Sequence, residues 1–260
     1  VEAPVLKAYG MSNPGPIRKI NEDRFAIEEE LQLFVVADGM GGHAAGEVAS
    51  SLAIESIVSF IRRSNEDGDF SWPYGIEPGL SLCGNRLRTA IHLANRRVFR
   101  AAEKYDEYTG MGTTVVAALA ADQRVAIGHA GDSRLYVLSD GAISQLTVDD
   151  TWPTALAADP EAAGRGVSSH PMKHVLTNVL GARDQAEVHV QERELKDGET
   201  LLLCSDGLHN ALDDDRLREF LSSGGSLVDV VGRMIDAALA NGCRDNVTAV
   251  VVRCERPDAG

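Results

Sequence analysis

Apolar positions along the chain follow two periods. Short, nearly continuous apolar runs read as strands: "LQLFVVAD" (31–38), "TTVVAALAA" (113–121), "RVAIGHAG" (124–131), "RLYVLSD" (134–140), "AISQLT" (142–147), "EVHVQEREL" (187–195), "TLLLCSDG" (200–207) and "NVTAVVVRC" (246–254). The first of these stops at Asp38. A 3.6-residue period takes over where Val48, Leu52, Ile54, Ile57, Val58 and Ile61 predict a mostly buried helix over about 46–63. Leu87, Ala90, Ile91, Ala94, Val98, Ala101 and Tyr105 predict a second, long and amphipathic helix, and two more are expected near 213–222 and 226–240. The strands from 113 to 147 are separated only by Asp-Gln, Gly-Asp-Ser and Asp-Gly turns, which implies antiparallel pairing. No period survives over 148–174, where Pro153, Pro160, Gly164, Gly166 and Pro171 punctuate a surface excursion. Long loops of this kind are often lids. No linker, repeat or low-complexity block divides the chain, so a single domain over 1–260 is expected, an α+β arrangement with antiparallel sheets and helices outside.

Composition narrows the function classes. The chain has 260 residues and 44% hydrophobic content, enough for a large core. Its longest apolar runs are too short to span a bilayer, and no basic-then-apolar leader opens it. Residue 1 is Val, not Met, which leaves processing and excision from a longer chain both open. Cys83, Cys204, Cys243 and Cys254 are scattered, with no C-x-x-C pair, and read as reduced thiols of a cytoplasmic protein. A net charge of −14 argues against nucleic acid, whose backbone calls for clustered Lys and Arg.

The candidate chemistry lies in where the acids fall. Three strands run into Asp beside or near Gly: "FVVADG", "AIGHAGD" and "LLLCSDG". One such ending is ordinary turn chemistry. If three strands release their acids at one sheet edge, however, the carboxylates meet in a cleft, and "CRDNVTAVVV" adds Asp245 where the last strand begins. Four like charges within a few Å repel too strongly to stay ionised without cations. With no Cys or His beside these acids, the donor set is all oxygen, which suits magnesium or manganese rather than zinc. "GMGGHA" also fits the G-x-G-x-x-A dinucleotide fingerprint. Asp38 would then sit beside the pyrophosphate, and a long helix follows where a second parallel strand is needed, so that reading is set aside. If Asp38 binds metal, Gly39 leaves its carbonyl free to approach a cation.

The ordered set "RKINEDR", "ADGMGGHAAGEVAS", "MGTTVVAAL", "HAGDSRLYVL", "HPMKHVLTNVLG", "CSDGLHNAL" and "RDNVTAVVV" covers nearly the whole chain. It resembles the metal-dependent serine/threonine protein phosphatases of type 2C (the PPM family), specifically their bacterial branch. The resemblance implies a four-layer α-β-β-α sandwich, two central antiparallel sheets flanked by helix pairs, with a metal site at one end. Residue by residue, Asp38 resembles the acid that bridges two metals, and Asp206 and Asp245 the other ligands of the first. Gly39 would give its carbonyl to the second metal, which Glu22 approaches directly or through water, with Asp23 in support. Asp132 resembles the acid that joins Asp206 at a third metal position. Arg18 stands where the family grips the substrate phosphate, and Asn246 orients ligands. The implied cofactors are two to three divalent cations, Mn2+ or Mg2+, and the implied reaction is hydrolysis of phosphoserine or phosphothreonine esters by direct attack of a metal-bridging water.

The chain also departs from the family pattern. Eukaryotic relatives place a His, proposed as general acid, right after the Asp-Gly; this chain has Met40, while His43 nearby reads as a helix-start or surface residue. Where bacterial relatives read Asp-His-Ser, Asp150 replaces the His, so the flap over about 147–174 is the least transferable part. His129, His170 and His174 read as packing or loop-anchoring residues. The implied partners are phosphoproteins and a eukaryotic-like serine/threonine kinase, with no nucleic acid and no membrane segment in this chain; a monomer is the default state. The alternative function is a catalytically weak regulatory or phosphoprotein-binding member of the same fold.

Overall fold

A computed structural model describes residues 5–42, 45–66, 71–157 and 175–255. Strands buried on both faces explain why the sequence shows apolar runs rather than alternation. Along β3 (Leu33–Met40), Leu33 and Val35 face one hydrophobic layer while Phe34 and Val36 face another. The same two-residue switch recurs in β10 (Thr200–Cys204), with Leu202 and Cys204 on one side and Leu201 and Leu203 on the other. In β11 (Val247–Glu255), Ala249 and Val251 oppose Val250 and Val252.

Two antiparallel sheets carry these strands. One is ordered β1-β11-β10-β7-β8, adding β1 (Val5–Asn13), β7 (Arg134–Ser139) and β8 (Ala142–Gln145). The other is ordered β2-β3-β5-β6-β9, with β2 (Asp23–Glu28), β5 (Val115–Ala121), β6 (Arg124–Ala130) and β9 (His189–Glu194), and the short β4 (Gly112–Thr113) pairs with β3. One apolar layer lies between the sheets. A second joins the β3 sheet to α1 (Ala45–Glu66) and α2 (Leu82–Lys104), and a third joins the β10 sheet to α5 (Asp214–Ser222) and α6 (Leu227–Ala240). The four-layer α-β-β-α order expected from the resemblance is present. Along α1, Ala45, Ala49, Ala53, Ile57 and Ile61 recur every four residues and are buried, the small residues letting the helix approach the sheet closely.

Several boundaries differ from the sequence reading. The first apolar strand does not stop at Asp38; it continues through Gly39 and Met40, which pair with Thr113 and Gly112 of β4. The second helix starts at Leu82, five positions before its apolar stripe, because the Ser81 side chain caps it by accepting from the Gly84 N–H at 3.2 Å. Edge strands β1 and β2 escaped the pattern. Within the excursion, α3 (Trp152–Ala157) forms a short helix, with Pro153 in its first turn where proline is tolerated. His43, His170, His174 and most of the flap lie outside the described residues. Among the described residues, all four cysteines are free thiols and no helix is long and apolar enough to cross a membrane.

Candidate functional site

Antiparallel register brings the acids together. Asn13, at the end of β1, is paired with Val247 at the start of β11, and Cys204, ending β10, lies opposite Ala249 of β11 and Arg134 of β7. In the other sheet Asp23 is paired with Asp38, and Val115 with Ala130. These ends share one edge of the sandwich. A cleft of about 230 Å³ opens there, lined by Glu22, Asp38, Asp132, Asp206 and Asp245 together with Arg18. Five acids thus arrive from five places: the β1–β2 connection, β3, the β6–β7 turn, the first residue of α4 (Asp206–His209) and the turn before β11. Gly39, Met40, Gly41, Thr114 and Leu176 also line it.

The electrostatics are those of crowded carboxylates. Burial pushes the Asp38 carboxyl well above its ordinary value, and Asp23, Asp206, Asp132 and Asp245 push it further. Asp132 is raised to about 7, by burial first and then by Asp206 and Asp149. Burial raises Glu22 too. Arg18 is the cation of the cleft, and its guanidinium meets Asp245 at 2.7 Å with roughly half of its side chain exposed (51%). Among the described residues no three acidic, His or Cys side chains form a ready-made cation cage. The cleft gathers the carboxylates without closing them on a point, and Asp245 is turned to Arg18.

Asp23 does not line the cleft but lies directly behind it. It is 1% exposed, and one carboxylate oxygen accepts from Ser205 Oγ at 2.7 Å and Thr248 Oγ1 at 2.6 Å. Its other oxygen has no hydrogen-bond partner among the described residues, and burial raises its pKa to about 6 against the pull of those two hydroxyls. Asn246 grips main chain: its Nδ2 donates to the carbonyls of Pro14 (2.9 Å) and Ile20 (3.1 Å), and its Oδ1 accepts from the Glu22 N–H at 2.8 Å. It therefore holds the loop that carries Arg18 and Glu22.

Other supports were invisible to motif reading. The Thr114 hydroxyl accepts from the Asp38 N–H at 3.1 Å and lies 2.7 Å from Ser133 Oγ, tying the end of β3 to the Asp132 turn. Asp150, the residue at the departed His position, is a junction. Its carboxylate accepts from the Gly131 N–H (2.9 Å) and Asn178 Nδ2 (2.6 Å) and lies 3.0 Å from His189 Nε2. It joins the Asp132 turn, the segment around Asn178 that leads to β9, and β9 itself. His129 stacks on His189 with ring centroids 4.9 Å apart, and its Nε2 bonds the Val148 carbonyl at 2.9 Å. The sequence signal for these partners amounted to small hydroxyls inside the motifs and an acid where the family pattern has His.

Gly39 allows the close approach on which the cleft depends. A Cβ there would overlap the Gly46 carbonyl of α1 and crowd the Glu22 carbonyl, which accepts the Gly39 N–H at 3.2 Å. Gly39→Ala is therefore expected to cost about 3 kcal/mol, since backbone must move to make room. Gly42→Ala, where the new methyl meets nothing within 4 Å, should be near neutral. Denaturant midpoints of the two variants check this, and equal midpoints would show that α1 yields freely.

Comparison with known proteins gives a consistent result. The family model described as "Protein phosphatase 2C" matches residues 18–242. "Serine/threonine protein phosphatase PstP" of Mycobacterium tuberculosis is 36% identical over 247 residues, which is 95% of this chain and 45% of that protein. The chain thus spans about half the length of that relative. "Serine/threonine phosphatase stp" of Listeria monocytogenes is 32% identical over 262 residues, 98% of each. A crystal structure of the PstP catalytic domain "in complex with 2 Manganese ions" superposes with a TM-score of 0.78 at 35% identity, covering 97% of this chain and all of that one (100%).

Proposed function

The chain belongs to the protein phosphatase 2C family, and on that premise we propose that it is a metal-dependent protein serine/threonine phosphatase, a single catalytic domain over 1–260. The observation that carries the reading is the convergence of Glu22, Asp38, Asp132, Asp206 and Asp245 with Arg18 on one cleft. Two to three divalent cations, Mn2+ or Mg2+, fit that donor set. Every donor is a hard oxygen, and acids raised by burial and by one another's charge are relieved by cations. Asp38 would hold cations with Asp206, Asp245, Glu22 and the Gly39 carbonyl, and Asp132 would join Asp206 at a third position. Bound there, divalent cations lower the pKa of water toward neutrality and offset charge on the phosphoryl group.

The protein's own side chains do the positioning. Arg18 can present two N–H groups to two phosphate oxygens, a bidentate fit that Lys would not give. Its present partner, Asp245, lines the same cleft, so the guanidinium is held at the site. Asn246 fixes the loop under Arg18 and Glu22, and Thr114 fixes the backbone of Asp38. The net reaction is a phosphomonoester plus water giving an alcohol and inorganic phosphate, with no covalent enzyme intermediate. By the same reading the substrates are phosphoserine and phosphothreonine proteins. A eukaryotic-like kinase is the opposing enzyme, and the protein works in the cytoplasm as a monomer; what supports these last assignments is the bacterial branch of the family alone.

Hydrolysis of 4-nitrophenyl phosphate and of a phosphothreonine peptide tests the reading. Turnover is expected with manganese, to fall at least about a hundredfold under a chelator, and to return when manganese is restored. Turnover indifferent to the chelator, or none at any metal concentration, would overturn it.

A further inference from the structure

A second cavity, about 510 Å³, opens directly beside the acid cleft, and Arg18, Asp206 and Asp245 form the wall the two have in common. It is more than twice the volume of the cleft and within the range of ligand pockets. Its own sides are Asn210 and Ala211, just after α4, and the turn from Asn241 through Cys243 and Arg244 that leads into β11. These sides are braced against each other. Asn241 Nδ2 donates to the Ala211 carbonyl at 3.0 Å, the Cys243 N–H bonds the Ala238 carbonyl at 3.0 Å, and the Gly242 N–H bonds the Leu239 carbonyl at 3.1 Å. The groove is a built feature of the α6–β11 corner.

Arg244 is exposed and makes no hydrogen bond or ion pair among the described residues, in a chain whose net charge is −14. Some exposed arginines of this chain are paired, such as Arg62 with Glu28 and Arg97 with Glu55, both at 2.7 Å, and among the described residues others, such as Arg96, Arg100, Arg124 and Arg183, are not; unlike those four, Arg244 lines this groove. An unpaired guanidinium at a groove mouth, facing the same space as Arg18, is positioned to meet an anion from outside.

Resting on the phosphatase reading, we propose that this groove receives the substrate chain flanking the phosphorylated residue, and that Arg244 selects for a carboxylate side chain within two or three residues of it. A phosphorylated side chain that enters the small cleft beside Arg18 must carry its neighbours over the rim at about 3.3–3.6 Å per residue. Across the shared wall of Arg18 they pass straight into the groove. Ala211 and Cys243 offer apolar surface to the peptide backbone and β-carbons, and Arg244 waits at the mouth. Beyond Leu176 lies another cavity of about 320 Å³, lined in part by Arg183 and Glu187, but it shares neither Arg18 nor any of the acids with the cleft, so a phosphorylated side chain held beside Arg18 does not lead into it across a wall of those residues.

The test uses the full chain with manganese and three phosphothreonine peptides that differ only in flanking residues, Glu, Ala or Lys. The wild-type protein is expected to prefer Glu over Lys by about tenfold in kcat/KM, carried by KM and weakened by salt, as for two partly exposed charge contacts. Arg244→Ala should flatten the series and Arg244→Glu should invert it. Arg244 does not line the acid cleft, so 4-nitrophenyl phosphate turnover is the control. An unordered wild-type series overturns the groove while leaving the phosphatase intact. So does an Arg244 variant that loses aryl phosphate and peptide turnover in parallel. Aryl phosphate turnover with no peptide hydrolysis overturns the protein-phosphatase reading, and the groove with it.

Discussion

Asp38→Asn is expected to lower manganese-dependent hydrolysis of an aryl phosphate by about a thousandfold or more, and at the same time to raise the melting temperature of the metal-free protein. The activity loss follows from the position of Asp38 at the centre of the acid cluster. An interaction worth several kcal/mol of charge stabilisation at the reacting phosphoryl group, once removed, is about three orders of magnitude in rate. The stability gain follows from the same position. Burial and four neighbouring acids disfavour the Asp38 carboxylate, and asparagine keeps its shape without its charge. Its main chain is held independently of the carboxylate, through Thr114 Oγ1 and through the Asp38 carbonyl, which accepts from Thr113 Oγ1 at 2.9 Å. A rise of a few degrees is expected, since about 1 kcal/mol moves a domain of this size by about 2–4 °C. A carboxylate kept for structure would behave oppositely, with stability falling and activity following it. Retention of activity within tenfold, or a drop in the metal-free melting temperature, would remove Asp38 from the centre of the site.

Asp38 was visible in the sequence because burial leaves a sharp trace. A strand enclosed on both faces is apolar at every position, so the acid that ends the run stands out, and Asp206 stood out for the same reason. Asp132 and Asp245 needed the additional guess that several strand ends share an edge, which short turns and antiparallel pairing made reasonable. Edge strands leave a weaker trace. β1 and β2 border their sheets and are largely half-buried, so Lys7, Ser12 and Arg24 interrupt the pattern that marks central strands.

What could not be read were the contacts between distant segments. Ser205 and Thr248 hold Asp23 across 182 and 225 residues of chain, and no periodicity encodes such a meeting. Asn246 could be assigned to orienting the site by resemblance, but its grip on Pro14 and Ile20 is a property of the folded corner. Asp150 shows the limit most clearly. In sequence it was a departure from a motif, and in the structure it binds the Asp132 turn to Asn178 and His189. A motif tells which residues recur, whereas the partner that makes a substitution workable can lie anywhere in the chain.

Burial and crowding of the same acids also set how stability responds to pH and metal. In the metal-free protein Asp23 is raised to about 6 and Asp132 to about 7, with Asp38 raised as well, against about 3.9 in an unfolded chain. Between these limits the folded state keeps protons that the unfolded state has released. The contribution of the neutral acids is therefore complete below about pH 4 and is lost as pH rises through about 6 to 7. Metal-free protein should accordingly melt several degrees lower at pH 8 than at pH 5.5. Manganese should reverse that order. Cations compete with those protons, so their binding to the folded state strengthens as pH rises. At a hundredfold excess over the dissociation constant, binding adds about 2.7 kcal/mol, or about 5–10 °C. The manganese-induced shift should thus be large at pH 8 and small at pH 5.5, so the metal-loaded protein becomes the more stable form where the metal-free protein is weakest. Melting curves at the two pH values, with manganese and with chelator, decide it. Equal shifts at both pH values would mean that the cation binds away from these acids, and no shift at pH 8 would mean that the carboxylates at the sandwich edge do not hold one.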